Sequence, residues 1–244
     1  MGGQFVDIAG VGTYYEVHGS GEPLLLLHGG LCSAETFDKM IPALGERFLV
    51  LAPDRSGHGR TPDTEQPFSY DAMAVETVAF MDALGIASAH VVGHSDGGNI
   101  GLLMAIRNPD RVRRLVSISG NFHSGVGDLE PIRPRAATEA LVAAIEDDYR
   151  RLSPDGPTHL DLVWAKLDSL WNDWTGITLD SLRSIKAATL VMAADADVIR
   201  IEHTVELYRA LELGQLAIIP NTSHNLIRER PDLIDDLILD FLAD

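Results

Sequence analysis

Short apolar runs alternate with helix-length amphipathic stretches along most of this chain, and no other feature limits its fold as much. The apolar runs cover residues 24–28, 48–52, 89–92, 112–119, 189–193 and 215–219, most of them bounded by Gly, Pro or charged residues. Between and after them, residues 34–44, 70–84, 99–107, 202–211 and 225–242 carry helical patterning; in the last, Leu226, Leu233, Leu237 and Phe241 recur on one face. Strand and helix in strict alternation build βαβ units, hence an α/β fold with a mostly parallel sheet and helices on both faces. An N-terminal hairpin, residues 5–9 and 13–18 around Gly10 and Gly12, brings the expected sheet to eight strands. At 244 residues, one core of this type accommodates the whole length.

The rhythm breaks between residues 121 and 184. Two helices are expected there, 134–152 and 158–174, with no strand-like run between them, and all three tryptophans (Trp164, Trp171, Trp174) fall in this stretch. The simplest organisation is a core made of residues 1–120 and 185–244, with an inserted helical unit at 121–184. The tryptophan spacings of seven and three place the indoles within about 80° on one helical face. Such a face either anchors the helix on the core or roofs an apolar substrate pocket.

Gly93-His94-Ser95-Asp96-Gly97 fits G-x-S-x-G, and its setting gives the match its meaning. An apolar run ends just before it and a helix-forming segment opens just after it. That strand, sharp turn and helix lift a serine Oγ into the open, with Gly two places to either side because a Cβ would clash there. Serine is a weak nucleophile at neutral pH and needs a base within hydrogen-bond reach. Of nine histidines, His224 sits on a loop directly after a late strand, where its imidazole can reach back over the strand ends. His28, His58 and His94 lie inside tight Gly-flanked turns and are read as turn or packing residues. Asp195 and Asp197 both follow the strand preceding the base, and either could orient it.

Other classes fit less well. The chain has 19 Lys and Arg against 36 Asp and Glu, a formal charge of −17, which repels nucleic acid and anionic membrane surfaces. No histidine pair has H-E-x-x-H spacing, so neither a metal nor another cofactor is expected. The single cysteine, Cys32, has no intramolecular disulfide partner and reads as a small packed residue rather than a nucleophile. No basic and apolar leader opens the sequence, and a cytoplasmic protein is expected.

These motifs together resemble the α/β-hydrolase fold superfamily over essentially the whole chain. His28-Gly29-Gly30 is similar to the family's oxyanion loop, Asp54-Arg55-Ser56-Gly57-His58-Gly59-Arg60-Thr61 to its loop after the fourth strand, and Pro220 to His224 with Glu229-Arg230-Pro231 to the segment bearing the base. The resemblance implies the order Ser95, Asp197, His224 for nucleophile, acid and base. The family's Gly three residues before the acid is Ala194 here, which favours Asp197 over Asp195. It further implies an oxyanion hole from the backbone N–H groups of Gly30 and Asp96, and a cap role for the insertion. The Asp96 side chain either only accompanies its amide or holds a cationic or hydroxylated part of the substrate. A serine nucleophile disfavours the family's dehalogenases and epoxide hydrolases, which attack with aspartate.

The expected activity is therefore cofactor-free hydrolysis of a small carboxylic ester or related acyl compound through acyl-Ser95, as in carboxylesterases. Carbon–carbon bond hydrolysis or cofactor-free peroxidation on the same residues is an alternative. A non-catalytic small-molecule receptor is a third, although a binding module has no need of all three groups.

Overall fold

A computed structural model describes residues 3–125 and 135–243. The strands are β1 (Gln4–Ile8), β2 (Val11–Gly19), β3 (Glu22–Leu27), β4 (Phe48–Pro53), β5 (Ala89–His94), β6 (Val112–Ile118), β7 (Ala188–Ala196) and β8 (Gly214–Ser223). They form one eight-stranded sheet in the order β1-β2-β4-β3-β5-β6-β7-β8. β1 pairs with β2, and β2 with β4, antiparallel; every pairing from β4 to β8 is parallel.

β3 shows why this sequence makes such a sheet. Leu24, Leu25, Leu26 and Leu27 are all fully buried, because a central parallel strand is covered on both faces and its apolar run is continuous rather than alternating. Leu25 and Leu27 join the core beneath α2 (Tyr70–Ala83) and α3 (Asp96–Arg107). Leu24 and Leu26 join the opposite core, with residues of α1 (Ile41–Leu44), α8 (Leu226–Glu229) and α9 (Pro231–Ala243). Each fully buried leucine is worth about 1.5–3 kcal/mol, and this strand commits four to two separate cores.

Between β6 and β7 lie α4 (Arg135–Leu152), α5 (Leu160–Asp173) and α6 (Leu179–Arg183); α7 (Ile201–Ala210) separates β7 from β8. The structure differs from the sequence-based expectations in several places. Residues 34–44 form a 3-10 turn (Ala34–Phe37) and then the short α1, not one helix, because Pro42 has no N–H to donate four residues back. The C-terminal helix is divided into α8 and α9 at Arg230, which leaves helical backbone before Pro231 (φ −136°, ψ 53°). The hairpin turns on Ala9 and Gly10, both at positive φ, while Gly12 pairs within β2. α3 begins at Asp96, three residues earlier than its apolar pattern. α6 is an additional helix, begun by Thr178, whose hydroxyl accepts from the Ser181 N–H. Trp174 lies beyond α5 with extended backbone, so the three indoles do not share one helix. Pro134, the expected first residue of the first inserted helix, lies outside the described residues.

Candidate active site

β5 ends at His94 and α3 starts at Asp96, which leaves Ser95 alone to turn the chain. It does so at φ 55° and ψ −119°, a conformation that side chains other than glycine rarely adopt. The Ser95 N–H donates to the Ile118 carbonyl of β6 at 2.8 Å, while its own carbonyl accepts from Gly98 and Asn99. The flanking glycines are steric necessities. A Cβ on Gly93 would lie 2.1 Å from the Gly97 carbonyl oxygen, and one on Gly97 would lie 1.9 Å from that of Leu27 on β3. The turn is thus pressed against both its own helix and the neighbouring strand, and Ser95 projects at the carboxyl edge of the sheet.

His224 follows β8 directly. Its Nε2 stands 3.0 Å from Ser95 Oγ, and its Nδ1 stands 2.7 Å from Asp197 Oδ1. Asp197 is almost fully buried just after β7. Its Oδ2 accepts from the Ser119 hydroxyl at 2.5 Å and from the Ala194 N–H at 3.3 Å, and its Oδ1 also accepts from the Ile199 N–H at 3.2 Å. Burial alone would raise this carboxyl, but the adjacent His224 charge and the donors from His224, Ser119 and Ile199 hold it well below the usual carboxylate range. Burial pulls His224 the other way, and the Asp197 charge and hydrogen bond outweigh it, so its pKa is raised. Asp195 faces elsewhere: its oxygens accept from the N–H groups of Asn221 and Thr222 in β8 at 2.9 and 3.1 Å. The choice between the two acids falls to Asp197 on geometry.

The remaining histidines of this edge are occupied. His94 Nε2 bonds the His224 carbonyl at 2.7 Å, and burial lowers its pKa to about 4. His28 Nδ1 bonds the Gly29 carbonyl at 2.7 Å while its Nε2 accepts from the Arg55 N–H at 3.1 Å. Burial lowers His58 to about 3. Burial also pushes the Cys32 thiol up, the reverse of what a nucleophilic cysteine needs.

The His28-Gly29-Gly30 loop lies against the serine: a Cβ on Gly29 would be 3.3 Å from Ser95 Cβ. Arg55, buried behind the loop, donates through Nη1 to the His28 carbonyl and through Nη2 to the Gly29 carbonyl at 2.9 Å. That guanidinium fixes the peptides leading to the Gly30 N–H. Neither Arg55 nor Ser119 announces its role in the sequence, although Arg55 stands in the Asp54 to Thr61 motif. Ser119 and Gly120 follow β6 directly, and no local pattern says that the Ser119 hydroxyl reaches a carboxylate 78 residues away.

Asp96 is buried with its carboxylate turned inward. Oδ1 accepts from the Tyr70 hydroxyl at 2.6 Å and from Trp171 Nε1 at 3.0 Å. Trp171 also borders Gly30, where an added Cβ would meet its ring carbon Cζ2 at 2.6 Å. Trp174 stands one layer further out, its ring edge-on to Tyr70 at 4.6 Å. Trp164 turns its indole N–H to Glu146 of α4 at 3.0 Å. Of the three indoles, Trp171 is the one brought to the serine's surroundings.

The structure also gathers His123, His203 and Glu206, whose ligand-type atoms lie within 4.8 Å of one another. His203 Nε2 accepts the Phe122 N–H at 3.1 Å, and His123 Nδ1 bonds the Ser124 carbonyl at 2.7 Å. His203 therefore spends its neutral lone pair on backbone, which suits packing better than metal ligation.

A doubly covered parallel sheet with a serine on the β5–α3 turn, a histidine after the last strand and a buried acid after the preceding one defines a class. The chain belongs to the α/β-hydrolase fold family, whose profile matches residues 22–151. Within it, a segment of 115 residues is 44% identical to "Putative carbamate hydrolase RutD" of Caulobacter segnis, over 45% of this chain and 43% of that protein. Another, of 118 residues, is 36% identical to the 2-hydroxymuconate semialdehyde hydrolase of a Pseudomonas species, over 47% of this chain and 42% of that one. The chain thus spans less than half the length of these curated relatives. Among solved structures, the meta-cleavage product hydrolase CumD of Pseudomonas fluorescens superposes with a TM-score of 0.80 at 22% identity, over 99% of this chain and 97% of that one.

Proposed function

We propose that the protein hydrolyses a small carboxylic ester or related acyl compound through a covalent acyl-Ser95 intermediate. The observation that supports this best is the Ser95–His224–Asp197 relay, with contacts of 3.0 and 2.7 Å. His224 Nε2 takes the proton as Ser95 Oγ attacks the carbonyl carbon, and Asp197 keeps the Nδ1 proton in place and stabilises the imidazolium. Negative charge then moves onto the carbonyl oxygen, where the N–H groups of Gly30 and Asp96 receive it. Collapse of the tetrahedral intermediate breaks the bond to the leaving group, which takes the proton from His224. Water, deprotonated by the same imidazole, attacks the acyl carbon and restores Ser95. No step draws on a metal or other cofactor. The helices between β6 and β7 act as the cap, with Trp171 as its contribution to the acyl pocket.

The names of the relatives keep two variants of this chemistry in view. A carbamate is an acyl compound with nitrogen on the carbonyl carbon, and the same relay serves it. Cleavage of a carbon–carbon bond is the second variant, favoured by the names of the 2-hydroxymuconate semialdehyde hydrolase and of CumD. A panel of short esters, lactones, thioesters, carbamates and a vinylogous 1,5-diketone, run with wild type and Ser95→Ala, tests the reading. Hydrolysis of at least one acyl class by wild type, falling by about 10³-fold or more in the variant, is expected. Full rate in Ser95→Ala would overturn it, and turnover of the diketone alone would select the carbon–carbon variant.

A further inference from the structure

The steps above use the backbone N–H of Asp96 and leave its carboxylate idle. That carboxylate is 3% exposed, and its two oxygens are unequal. Oδ1 is taken by the Tyr70 hydroxyl and the Trp171 indole N–H, both neutral donors. Oδ2 is buried without a hydrogen-bond partner: the Arg55 guanidinium feels the Asp96 charge, but its donors go to the His28 and Gly29 carbonyls and not to this oxygen. A buried carboxylate oxygen without a donor is costly, so a free acceptor held open in this way calls for a donor from outside the chain.

Its position says what the donor belongs to. A Cβ built on Gly30 would lie 2.8 Å from Oδ2, so this oxygen faces the residue whose N–H receives the substrate carbonyl oxygen. Tyr70 and Trp171, the latter from the cap helix α5, pin Oδ1 and hold the carboxylate in that orientation. The Asp96 charge is also felt at His224, where it contributes to raising the imidazole's pKa. A fixed negative charge at this place opposes the oxyanion that forms beside it when the acyl group is neutral. An acyl group that brings a polarised N–H or an ammonium between the two negative centres satisfies Oδ2 and removes the opposition.

We infer that the acyl part of the substrate carries nitrogen on the reacting carbonyl carbon or on the next atom, and that Asp96 Oδ2 receives its N–H. The inference rests on the acyl-Ser95 reading and specifies its substrate class: carbamates or α-amino acyl compounds. Two isosteric ester pairs separate these sources: ethyl carbamate with ethyl acetate, and L-alanine ethyl ester with ethyl isobutyrate. Within each pair, the ratio of kcat/KM values is compared between wild type and Asp96→Asn, so that intrinsic reactivity cancels. In at least one pair the ratio should fall by about tenfold or more in the variant, through loss of the nitrogen-bearing member, and the pair affected identifies the source.

A second measurement needs no variant. Where the α-amino acyl pair is the one affected, 1-aminoethylboronic acid should inhibit wild type about tenfold or more tightly than isopropylboronic acid, because both form the same adduct with Ser95. Ratios unchanged in Asp96→Asn for both ester pairs would overturn the inference while leaving the acyl-Ser95 reading intact, and equal inhibition by the two boronic acids would overturn its α-amino acyl arm. No turnover of any member of the acyl panel or of these four esters, together with no inhibition by either boronic acid, would overturn the acyl-Ser95 reading, and the inference with it.

Discussion

Asp195 and Asp197 stand two residues apart at the end of β7, and their surroundings give them different work. Asp197 is buried and holds His224 Nδ1, whereas Asp195 ties β7 to the Asn221 and Thr222 amides of β8. Alternation along a strand would point both side chains the same way, but the β7–β8 pairing slips between Ala194 and Ala196, and the slip separates them. Spacing alone therefore left two acids open where the folded chain brings one to His224. Asp197→Asn should lower kcat by about 10³–10⁴-fold by disturbing the His224 tautomer. Asp195→Asn, which weakens two backbone bonds, should cost stability of about 1 kcal/mol and leave kcat nearly unchanged. Steady-state kinetics with a thermal melt of each variant checks this; equal losses of kcat would contradict the assignment. Ser119, Arg55 and Tyr70 escaped sequence reasoning for a common reason. Each acts through a partner brought near only by tertiary folding, and a lone Ser, Arg or Tyr in a chain announces no partner.

At the scale of elements, the β5–α3 turn was the most legible part because its demands are local. Gly93 and Gly97 must lack a Cβ, Ser95 must turn the chain, and all lie within five residues. The helices were less so, since proline divides two of them: apolar spacing runs unbroken across Pro42 and Pro231 while the backbone does not. α9 also carries a charge problem that its apolar spacing conceals. Asp235 faces inward at 5% exposure with Oδ1 unpartnered, and burial together with the charges of Asp232 and Asp236 raises it to about 7. A carboxyl whose folded pKa lies above its unfolded value of about 4 favours folding when protonated, and that stability is lost as pH rises through the folded value. Asp235→Asn removes the titration. Its Tm should match that of wild type near about pH 3, below the unfolded value, and exceed it by about 2–4 °C near pH 8. Melting curves across this range check the sign, and a difference independent of pH would contradict it.

Over the whole molecule, eight strands bring Ser95, Asp197 and His224 to one edge of the sheet, although they lie on three separate connections. The order β1-β2-β4-β3-β5-β6-β7-β8 does this by placing β5 centrally, with β7 and β8 beyond β6 on the side from which His224 reaches back. The net charge of −17 takes no part in the relay, which needs one buried acid; it bears on the molecule's surface and its dealings with other polyanions. Among the described residues no helix is long and apolar enough to cross a membrane. Parallel pairing and helices on both faces were legible because they follow from the alternation itself. The contact between the inserted helix α5 and the nucleophile turn was not, since the Trp171–Asp96 bond joins residues 75 apart. The central claim is that Ser95 becomes acylated, and rapid mixing with p-nitrophenyl acetate tests it most directly. A burst of about one p-nitrophenolate per chain is expected, with the acetyl group mapped by peptide mass spectrometry to Ser95 and both signals absent in Ser95→Ala. Acetyl found on another residue, or an undiminished burst in Ser95→Ala, would contradict it.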